Sequence, residues 1–183
     1  MTHPGKTIHF CPKCGNKHFP FDGHKSFKCQ QCGFHFFINT AAAVAAIIEN
    51  ESGQILLTTR AFEPNKGLLD LPGGFVDPLE SAENAVIREI KEELNLDVAS
   101  TKYIISFPNE YIFSDYTVFT TDLGFLVKVK DFNSITSMDD ISDYQFISPK
   151  DIDYSKICAP SIVKIIQHYI SNNRKEEQSS FTN

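Results

Sequence analysis

A short stretch in the middle of the chain, REIKEELNL from Arg88 to Leu96, places three glutamates within five residues. The apolar residues around it recur at helical spacing, which predicts an amphipathic helix over residues 81–94. Asp77 or Ser81 is available as its N-cap. The core-facing side of this helix is predicted to consist of Val86, Ile87, Ile90 and Leu94.

The three glutamates, Glu89, Glu92 and Glu93, fall together on the adjacent side of the helix, beside Ala82 and Ala85. Like charges at this spacing destabilise a helix, typically by a few tenths of a kcal/mol. A solvated acidic face is the ordinary explanation, but the single lysine of the helix lies off the glutamate side, and an LPGG loop comes before it. Hard divalent cations such as Mg²⁺ take carboxylate ligands and would remove the repulsion. We therefore expect a metal site.

A longer segment, GFVDPLESAENAVIREIKEELNL, runs from Gly74 to Leu96. Gly74 is followed after five residues by Glu80 and after seven more by the run that begins at Arg88. This pattern resembles the Nudix box, and every defining position matches except Asn95, where the family has glycine. That glycine ends the helix in a left-handed conformation, a role in which asparagine is the commonest alternative. We therefore predict a positive φ at Asn95.

The resemblance spans roughly residues 40–170 and implies the Nudix α/β/α sandwich, an α/β fold. It also implies hydrolysis of a nucleoside diphosphate linked to another moiety. Carried over by position, Glu89, Glu92 and Glu93 would hold Mg²⁺ or Mn²⁺, with the Gly73 carbonyl as a backbone ligand. Orienting partners in the box would be Arg88 and Glu80.

The resemblance leaves the general base and one metal ligand open. In this family a water attacks one phosphorus and a glutamate commonly acts as base, so Glu89 is either a ligand or the base. Glu110, in the FPNEY segment, is an alternative base. A further acidic ligand often precedes the late strand, and Asp143 is the candidate here. The alternative for Asp143 is a solvated turn, since Asp139 and Asp140 lie in the same segment.

The N-terminal region contains two Cys-x-x-Cys pairs, Cys11 with Cys14 and Cys29 with Cys32, each followed by glycine. Four thiolates around one point satisfy tetrahedral Zn²⁺ without an open position, which predicts a structural zinc ribbon. A rubredoxin-type iron site uses similar ligands, and His24 is an alternative fourth ligand. Disulfides are disfavoured in a reducing compartment.

The ribbon segment, residues 1–38, also has a distinctive charge and composition. It carries five lysines and one acidic residue, a net of +4 within a chain of net −6, so the remainder carries −10. Its phenylalanines are expected to pack the ribbon against the body or across a homodimer; the alternative is an aromatic and basic platform for nucleic acid. They are Phe10, Phe19, Phe21, Phe27, Phe34, Phe36 and Phe37.

The remaining sequence predicts interleaved strands and helices, which is typical of an α/β sandwich. Residues 44–48 and 55–59 are predicted to form a hairpin, and KYIISF, TVFTTDLGFLVKVK and YQFIS are predicted strands. APSIVKIIQHYISNN predicts a late core-facing helix. The expected domains are a zinc ribbon at 1–38, a Nudix hydrolase domain at 39–173 and a disordered polar tail at 174–183.

A ribbon ahead of a Nudix domain resembles the architecture of NADH pyrophosphatases. Those enzymes carry an S-Q-P-W-P-F-P-x-S motif after the box, whereas this chain has ISFPNEYIFS over residues 105–114 and no Trp at all. The substrate is therefore left open among NADH, ADP-ribose and similar nucleotide diphosphates. Phe107, Tyr111 and Phe113 are candidates to stack on a base, or are core strand residues.

Two other function classes compete with an enzyme. One is a nucleotide-sensing Nudix domain without turnover, which the intact glutamate set disfavours. The other is nucleic-acid binding, which the +4 ribbon permits and no recognisable motif supports. No secretory signal or apolar run long enough to span a bilayer is expected, since the longest run is Ala41–Ile48. A cytoplasmic location follows as an expectation.

Overall fold

The computed structural model describes residues 2–180, without the side chains from residue 173 onward. The described chain divides into two compact units. The first comprises the residues up to Ala41 together with Glu110–Thr120, and the second comprises Ala42–Asn109 and the residues from Thr121 onward. The predicted boundary at residue 38 lies near the first of these breaks, whereas the grouping of Glu110–Thr120 with the first unit has no counterpart in the predicted domains.

The first unit is built around a small aromatic core. Phe19 stacks on Phe27 with ring centroids 5.1 Å apart, and both rings are buried beside two of the cysteines. Five of the seven phenylalanines join this core, whereas Phe10 and Phe37 are exposed. The regular elements are a one-turn helix, α1 (Pro4–Thr7), and two antiparallel strands, β1 (Ser26–Lys28) and β2 (His35–Phe37).

The segment Glu110–Thr120 packs on the N-terminus of the first unit. The backbone N–H of Thr117 donates to the carbonyl of Thr2 at 2.7 Å, and the two threonine hydroxyls lie 2.7 Å apart. The ring of Phe119 meets the imidazole of His3 edge to face at 5.5 Å. These contacts explain why a segment so distant in sequence belongs to the ribbon unit.

The strands that follow form two three-stranded sheets, ordered β3–β7–β6 and β5–β4–β8. Strand β4 pairs antiparallel with both of its neighbours. The predicted strands are present, and β6 and β8 are longer than expected. The strands are β3 (Ala41–Ile48), β4 (Ile55–Arg60), β5 (Leu69–Asp70), β6 (Val98–Phe113), β7 (Tyr116–Val129) and β8 (Ile141–Ile147).

The predicted hairpin between residues 44–48 and 55–59 is wrong. One bridge, Glu49 with Ile55, joins the two segments at the turn, and then β3 and β4 enter different sheets. The reason lies in their burial, since Val44–Ile48 and Ile55–Thr58 are buried without alternation. Strands that are buried on both faces need a packed layer on each side, which an isolated hairpin with one solvated face does not provide.

Alternate residues of β3 face two different helices. Val44, Ala46 and Ile48 pack in a cluster with helix α2 (Ala82–Leu94), whereas Ala45 and Ile47 pack with helix α3 (Pro160–Ser180). A helix thus covers each side of the strand layer, because side chains alternate along a strand. This is the α/β/α sandwich that the sequence predicted.

Helix α2 is rotated relative to its predicted orientation. Ile87, expected in the core, is 42% exposed, whereas Ala85, expected beside an open metal site, is fully buried. Glu93 is also buried, at 6% exposed. The buried arc therefore includes part of the glutamate side.

Helix α3 presents the predicted apolar stripe to the core: Ile162, Ile165, Ile166 and Tyr169 are buried. The helix extends to Ser180, into the segment predicted as a polar tail, and residues 181–183 of that tail lie outside the described residues. In the part of the chain that is described, no helix has both the length and the apolar composition of a membrane span.

Candidate active site and cysteine cluster

Both ends of α2 are fixed by side chains that the sequence singled out. At the start, the Ser81 hydroxyl accepts a hydrogen bond from the backbone N–H of Asn84 at 3.2 Å, which makes Ser81 the N-cap. At the end, Asn95 has φ 53° and ψ 28°, the predicted left-handed conformation. Its side-chain amide donates to the carbonyl of Ser134 at 3.2 Å, and the Ser134 hydroxyl donates back to the carbonyl of Asn95 at 3.0 Å. A glycine could not make the side-chain bond, so Asn95 ties the helix end to a later loop.

The LPGG loop lies close against both β3 and the glutamates of α2. Gly74 accepts a hydrogen bond from the backbone N–H of Val44 at 2.8 Å, and a side chain at Gly74 would collide with the carboxylate of Glu89. Gly73 has φ 149°, and a side chain there would collide with the backbone of Val44. Glycine is required at Gly73, because a Cβ would strike backbone and φ is positive, whereas at Gly74 a side chain would displace the Glu89 carboxylate.

Glu93 is the most buried of the three box glutamates, and its carboxylate accepts a hydrogen bond from the Gly73 N–H at 3.0 Å. Loss of solvent raises its pKa well above the usual range, and the Gly73 N–H opposes that rise. Repulsion from Asp70, Glu89 and Asp140 raises the pKa further. A buried carboxylate surrounded by like charges is a position where a cation would be strongly favoured.

Arg88 lies at the centre of the other carboxylates. Its guanidinium holds Glu80 with two bonds, of 3.0 and 2.9 Å, and donates to Glu89 at 2.8 Å and to Glu92 at 2.9 Å. It also donates to the carbonyl of Phe75 at 3.0 Å, which links the helix to the LPGG loop. The bond to Arg88 lowers the pKa of Glu80, and the bond to Glu80 raises the pKa of Arg88 above its usual range. Arg88 thus joins Glu80, Glu89 and Glu92 in one hydrogen-bonded group.

The turn before β8 brings two more carboxylates near the box. The backbone N–H of Met138 donates to the carbonyl of Glu93 at 2.9 Å, which holds this turn against the end of α2. Burial raises the pKa of Glu89, Arg88 opposes that rise, and Glu92 and Asp139 add to it by repulsion.

The other acidic candidates are placed differently. Asp143 is exposed on β8, opposite Thr59, and its carboxylate accepts the backbone N–H of Tyr144 at 2.8 Å. The acids that act on Glu89 and Glu93 are instead Asp70, Asp139 and Asp140, which the sequence reasoning did not single out as ligands. The alternative base, Glu110, belongs to the first unit.

The four ribbon cysteines converge as predicted. Their sulfurs all lie within 4.8 Å of one another. Among the described residues, these four side chains form a group compact enough to hold one metal ion. Cys11 Sγ lies 3.8 Å from Cys32 Sγ, and Cys14 Sγ lies 3.7 Å from Cys29 Sγ. A tetrahedral zinc with Zn–S bonds of about 2.3 Å separates its sulfurs by about 3.8 Å, so the spacing fits Zn²⁺.

The pKa values of two cluster thiols move in opposite directions: the Asn16 backbone opposes the rise at Cys14, but burial and the neighbouring sulfurs raise the pKa of Cys14 to about 12. The backbone N–H of Cys32 approaches Cys29 Sγ at 3.5 Å and, with the N–H of Gln31, helps to lower the pKa of Cys29 to about 6. All five cysteines of the chain are free thiols, so the pairs are not disulfides. His24, the alternative ligand, is exposed and is not part of the compact group.

The aromatic candidates for base stacking fall into two environments. Phe107 packs against the α3 side of the core, with the Lys164 ammonium 5.7 Å from its ring centroid. Tyr111 and Phe113, in the first unit, stack on each other at 6.4 Å, and Phe113 is 55% exposed. Phe107 is therefore a core strand residue.

Comparison with known proteins places the fold and the box in one family. The NUDIX domain family matches residues 39–169 of this chain. The chain belongs to the NUDIX domain family. A protein named NAD-capped RNA hydrolase NudC from Pseudomonas aeruginosa is 28% identical over 143 residues, covering 76% of this chain and 47% of that protein. An ADP-ribose pyrophosphatase from Methanocaldococcus jannaschii is 48% identical over 63 residues, covering 34% of this chain and 37% of that protein. The chain thus spans about half the length of the NudC relative.

Solved NUDIX structures share the fold. A NUDIX hydrolase from Nitrosomonas europaea superposes with a TM-score of 0.70 at 20% identity, covering 92% of this chain and 93% of that chain. The NUDIX domain of Shewanella oneidensis NrtR, solved with ADP ribose, gives a TM-score of 0.60 at 20% identity. The superposition covers 74% of this chain and 90% of that chain. At such low identity these similarities establish the NUDIX fold alone.

Proposed function

We propose that this NUDIX protein is a metal-dependent hydrolase that cleaves the diphosphate of a nucleoside diphosphate linked to another moiety. The observation that carries the proposal is the buried Glu93 carboxylate, bonded to the Gly73 N–H and accompanied on the same helix by Glu89 and Glu92. A buried carboxylate that lies near other acids, as Glu93 does near Asp70, Glu89 and Asp140, favours a hard divalent cation. The names of the NudC and ADP-ribose pyrophosphatase relatives support the same reaction class.

Mg²⁺ or Mn²⁺ would be held by Glu89, Glu92, Glu93 and the Gly73 carbonyl. When bound, such a cation neutralises diphosphate charge and acidifies a water. Arg88 supplies the countercharge for Glu89 and Glu92 and keeps them on one side of α2.

The general base and the further acidic ligand are proposed from the same contacts. Burial raises the pKa of Glu89, which brings its carboxylate nearer to the range suited to accepting a proton from water. Glu89 therefore acts as base or as ligand. For the further acidic ligand, the turn held by the Met138 N–H favours Asp139 or Asp140 over Asp143, the candidate from the sequence.

The substrate class we propose is ADP-ribose, NADH or a similar linked nucleotide diphosphate. The relatives' names point to ADP-ribose and to NAD-capped RNA. The departure from the S-Q-P-W-P-F-P-x-S motif at residues 105–114 leaves free NADH without its usual recognition sequence. The four cysteines would hold a structural Zn²⁺. A cytoplasmic location and a homodimer stay predictions.

The test is a phosphate-release screen of the zinc-loaded protein with Mg²⁺ or Mn²⁺. Substrates are NADH, ADP-ribose, dinucleoside polyphosphates, nucleotide sugars and nucleoside triphosphates, with a phosphatase to release phosphate from any nucleotide product. Glu93→Gln keeps the shape of the side chain and removes its charge, so it should lower kcat by at least about 100-fold. The matched control is Glu83→Gln, an exposed glutamate of the same helix, which should keep wild-type turnover.

Two outcomes would overturn the proposed function. Near wild-type turnover by Glu93→Gln at saturating Mg²⁺ would show that the reaction does not need the Glu93 carboxylate. Absence of turnover for every substrate, with tight binding of one of them, would favour the nucleotide-sensing alternative.

A further inference from the structure

The first unit carries a groove of about 400 Å³ on its own surface. Its floor is aromatic and firmly packed. Phe19, one of the lining residues, is 4% exposed and stacks on Phe27. Phe21 also lines the groove and lies so close to Gly5 that any side chain there would collide with its ring. The groove is therefore preformed by the same core that surrounds the cysteines.

The rim of the groove combines an exposed ring with cationic and polar groups. Phe10 is 62% exposed and lines the groove, so much of its ring is accessible to a ligand there. Lys17 is exposed and makes no salt bridge with a described residue. The other polar lining groups are His9, His18 and Gln30. Among the residues that the structure describes, no carboxylate lines the groove, so its electrostatic character is positive or neutral.

The acidic residue of the ribbon segment is not among the residues that line the groove. Asp22 is the one acid among residues 1–38. Its carboxylate accepts hydrogen bonds from the backbone N–H groups of His24, Lys25 and Ser26 at 2.8, 2.9 and 3.0 Å, and from the Ser26 hydroxyl at 2.6 Å. Asp22 is thus satisfied within its own turn.

We propose that this groove binds single-stranded nucleic acid, with a base stacked on Phe10 and a phosphate beside Lys17. Single-strand binding needs an exposed ring for the π-face of a base and a cation for the backbone, and both line the groove. Imidazole and amide side chains add hydrogen bonds to base edges, which are free in a single strand. An acidic peptide would match the charge but leave the exposed ring without a partner.

The test is fluorescence anisotropy of a labelled oligouridylate of about eight nucleotides, within the usual site size of single-strand binders. The full chain is used with zinc bound and with Mg²⁺ and Mn²⁺ omitted, so that no turnover occurs. We expect a Kd between about 1 and 100 µM that weakens as salt rises from about 50 to 200 mM. Phe10→Ala should weaken binding about tenfold, and Phe10→Tyr, which keeps a ring, should retain it. Lys17→Gln should reduce the slope of log affinity against log salt by about 1.

The matched controls are Phe37→Ala and Lys28→Gln, an exposed ring and an exposed lysine of the same unit that do not line the groove. Both should bind like wild type, and zinc content measured for every variant shows that the ribbon is folded. Three results would overturn the proposal: no binding up to about 100 µM, equal losses in the controls, or displacement of the oligonucleotide by polyglutamate as effectively as by unlabelled RNA.

Discussion

Leu79 combines a left-handed backbone conformation, φ 68°, with a fully exposed side chain. It lies in the turn before α2, where the N–H of Glu80 donates to the carbonyl of Asp77 at 3.1 Å. A left-handed conformation costs a residue with a Cβ about 1–2 kcal/mol. The turn thus places Glu80 within reach of Arg88. The backbone at Leu79 is strained, and because its side chain is exposed, no burial of that side chain offsets the strain.

Leu79→Gly should therefore raise the free energy of unfolding by up to about 1.5 kcal/mol. The strain relieved, about 1–2 kcal/mol, exceeds the roughly 0.5–1 kcal/mol that glycine adds to the entropy of the unfolded chain. Chemical denaturation of the zinc-loaded protein measures the change. Leu79→Ala is the control, because alanine keeps the Cβ and the strain; equal effects of the two substitutions would show that the backbone conformation is not the cause.

Single residues differ in how far the sequence predicts them. The positive φ at Asn95 was predictable because the box demands a helix end there and asparagine tolerates it. Nothing in the sequence around Leu79 demands the same. The nearness of Asp139 and Asp140 to the box depends on a backbone bond between Met138 and Glu93, 45 residues apart, which side-chain patterns do not encode.

At the scale of elements, helix α2 shows what periodicity does and does not determine. The 3.6-residue period correctly gives a helix with one buried side. The centre of the buried arc depends on the layer that packs against it, and here the arc turns toward Ala85 and Glu93 and away from Ile87. The orientation of the helix against that layer therefore decides that Glu93 is buried and that its pKa is raised.

This burial predicts an unusual pH dependence of stability in the absence of Mg²⁺ and Mn²⁺. Because the folded-state pKa of Glu93 is raised, the folded protein binds more protons than the unfolded chain above about pH 4.3, the ordinary glutamate value. The stabilising contribution of Glu93 to the free energy of unfolding is therefore fully present below the unfolded-state pKa. It is lost as pH rises through the raised folded-state pKa. Glu80, whose pKa is lowered, contributes a constant amount above the same pH.

Urea denaturation between about pH 5 and pH 8 checks this, with Glu93→Gln as the comparison. Glutamine cannot ionise, so the variant should lose less stability than wild type as pH rises and should be the more stable protein at the upper end. Adding Mg²⁺ should stabilise wild type at neutral pH and leave Glu93→Gln nearly unchanged. Parallel pH profiles for the two proteins would contradict the burial of an ionisable Glu93.

On the scale of the whole molecule, the sequence located the four clustered cysteines but not the full extent of the unit that contains them. Cys11, Cys14, Cys29 and Cys32 carry a local spacing that predicts one metal point, and their sulfurs converge as expected. The segment Glu110–Thr120 joins the same unit through contacts such as that between Thr2 and Thr117. Contacts of such long sequence separation leave no periodic signal, so the predicted boundaries could not contain this segment.

The composition of the first unit makes a prediction about zinc removal. Structural zinc contributes an apparent folding free energy of about 10–16 kcal/mol in small zinc-binding peptides, far more than a core of this size supplies. Cys29→Ser should therefore abolish stoichiometric zinc and unfold the first unit. Backbone amides in Glu110–Thr120, including the Thr117 amide that donates to Thr2, should then lose protection from hydrogen exchange, while those of the buried strand β4 stay protected.

Cys158→Ser, at a cysteine of the second unit, is the control and should keep zinc. Unchanged zinc content and melting temperature in Cys29→Ser would contradict a structural zinc, and continued protection of Glu110–Thr120 after zinc loss would show that this segment is held by the second unit rather than the ribbon.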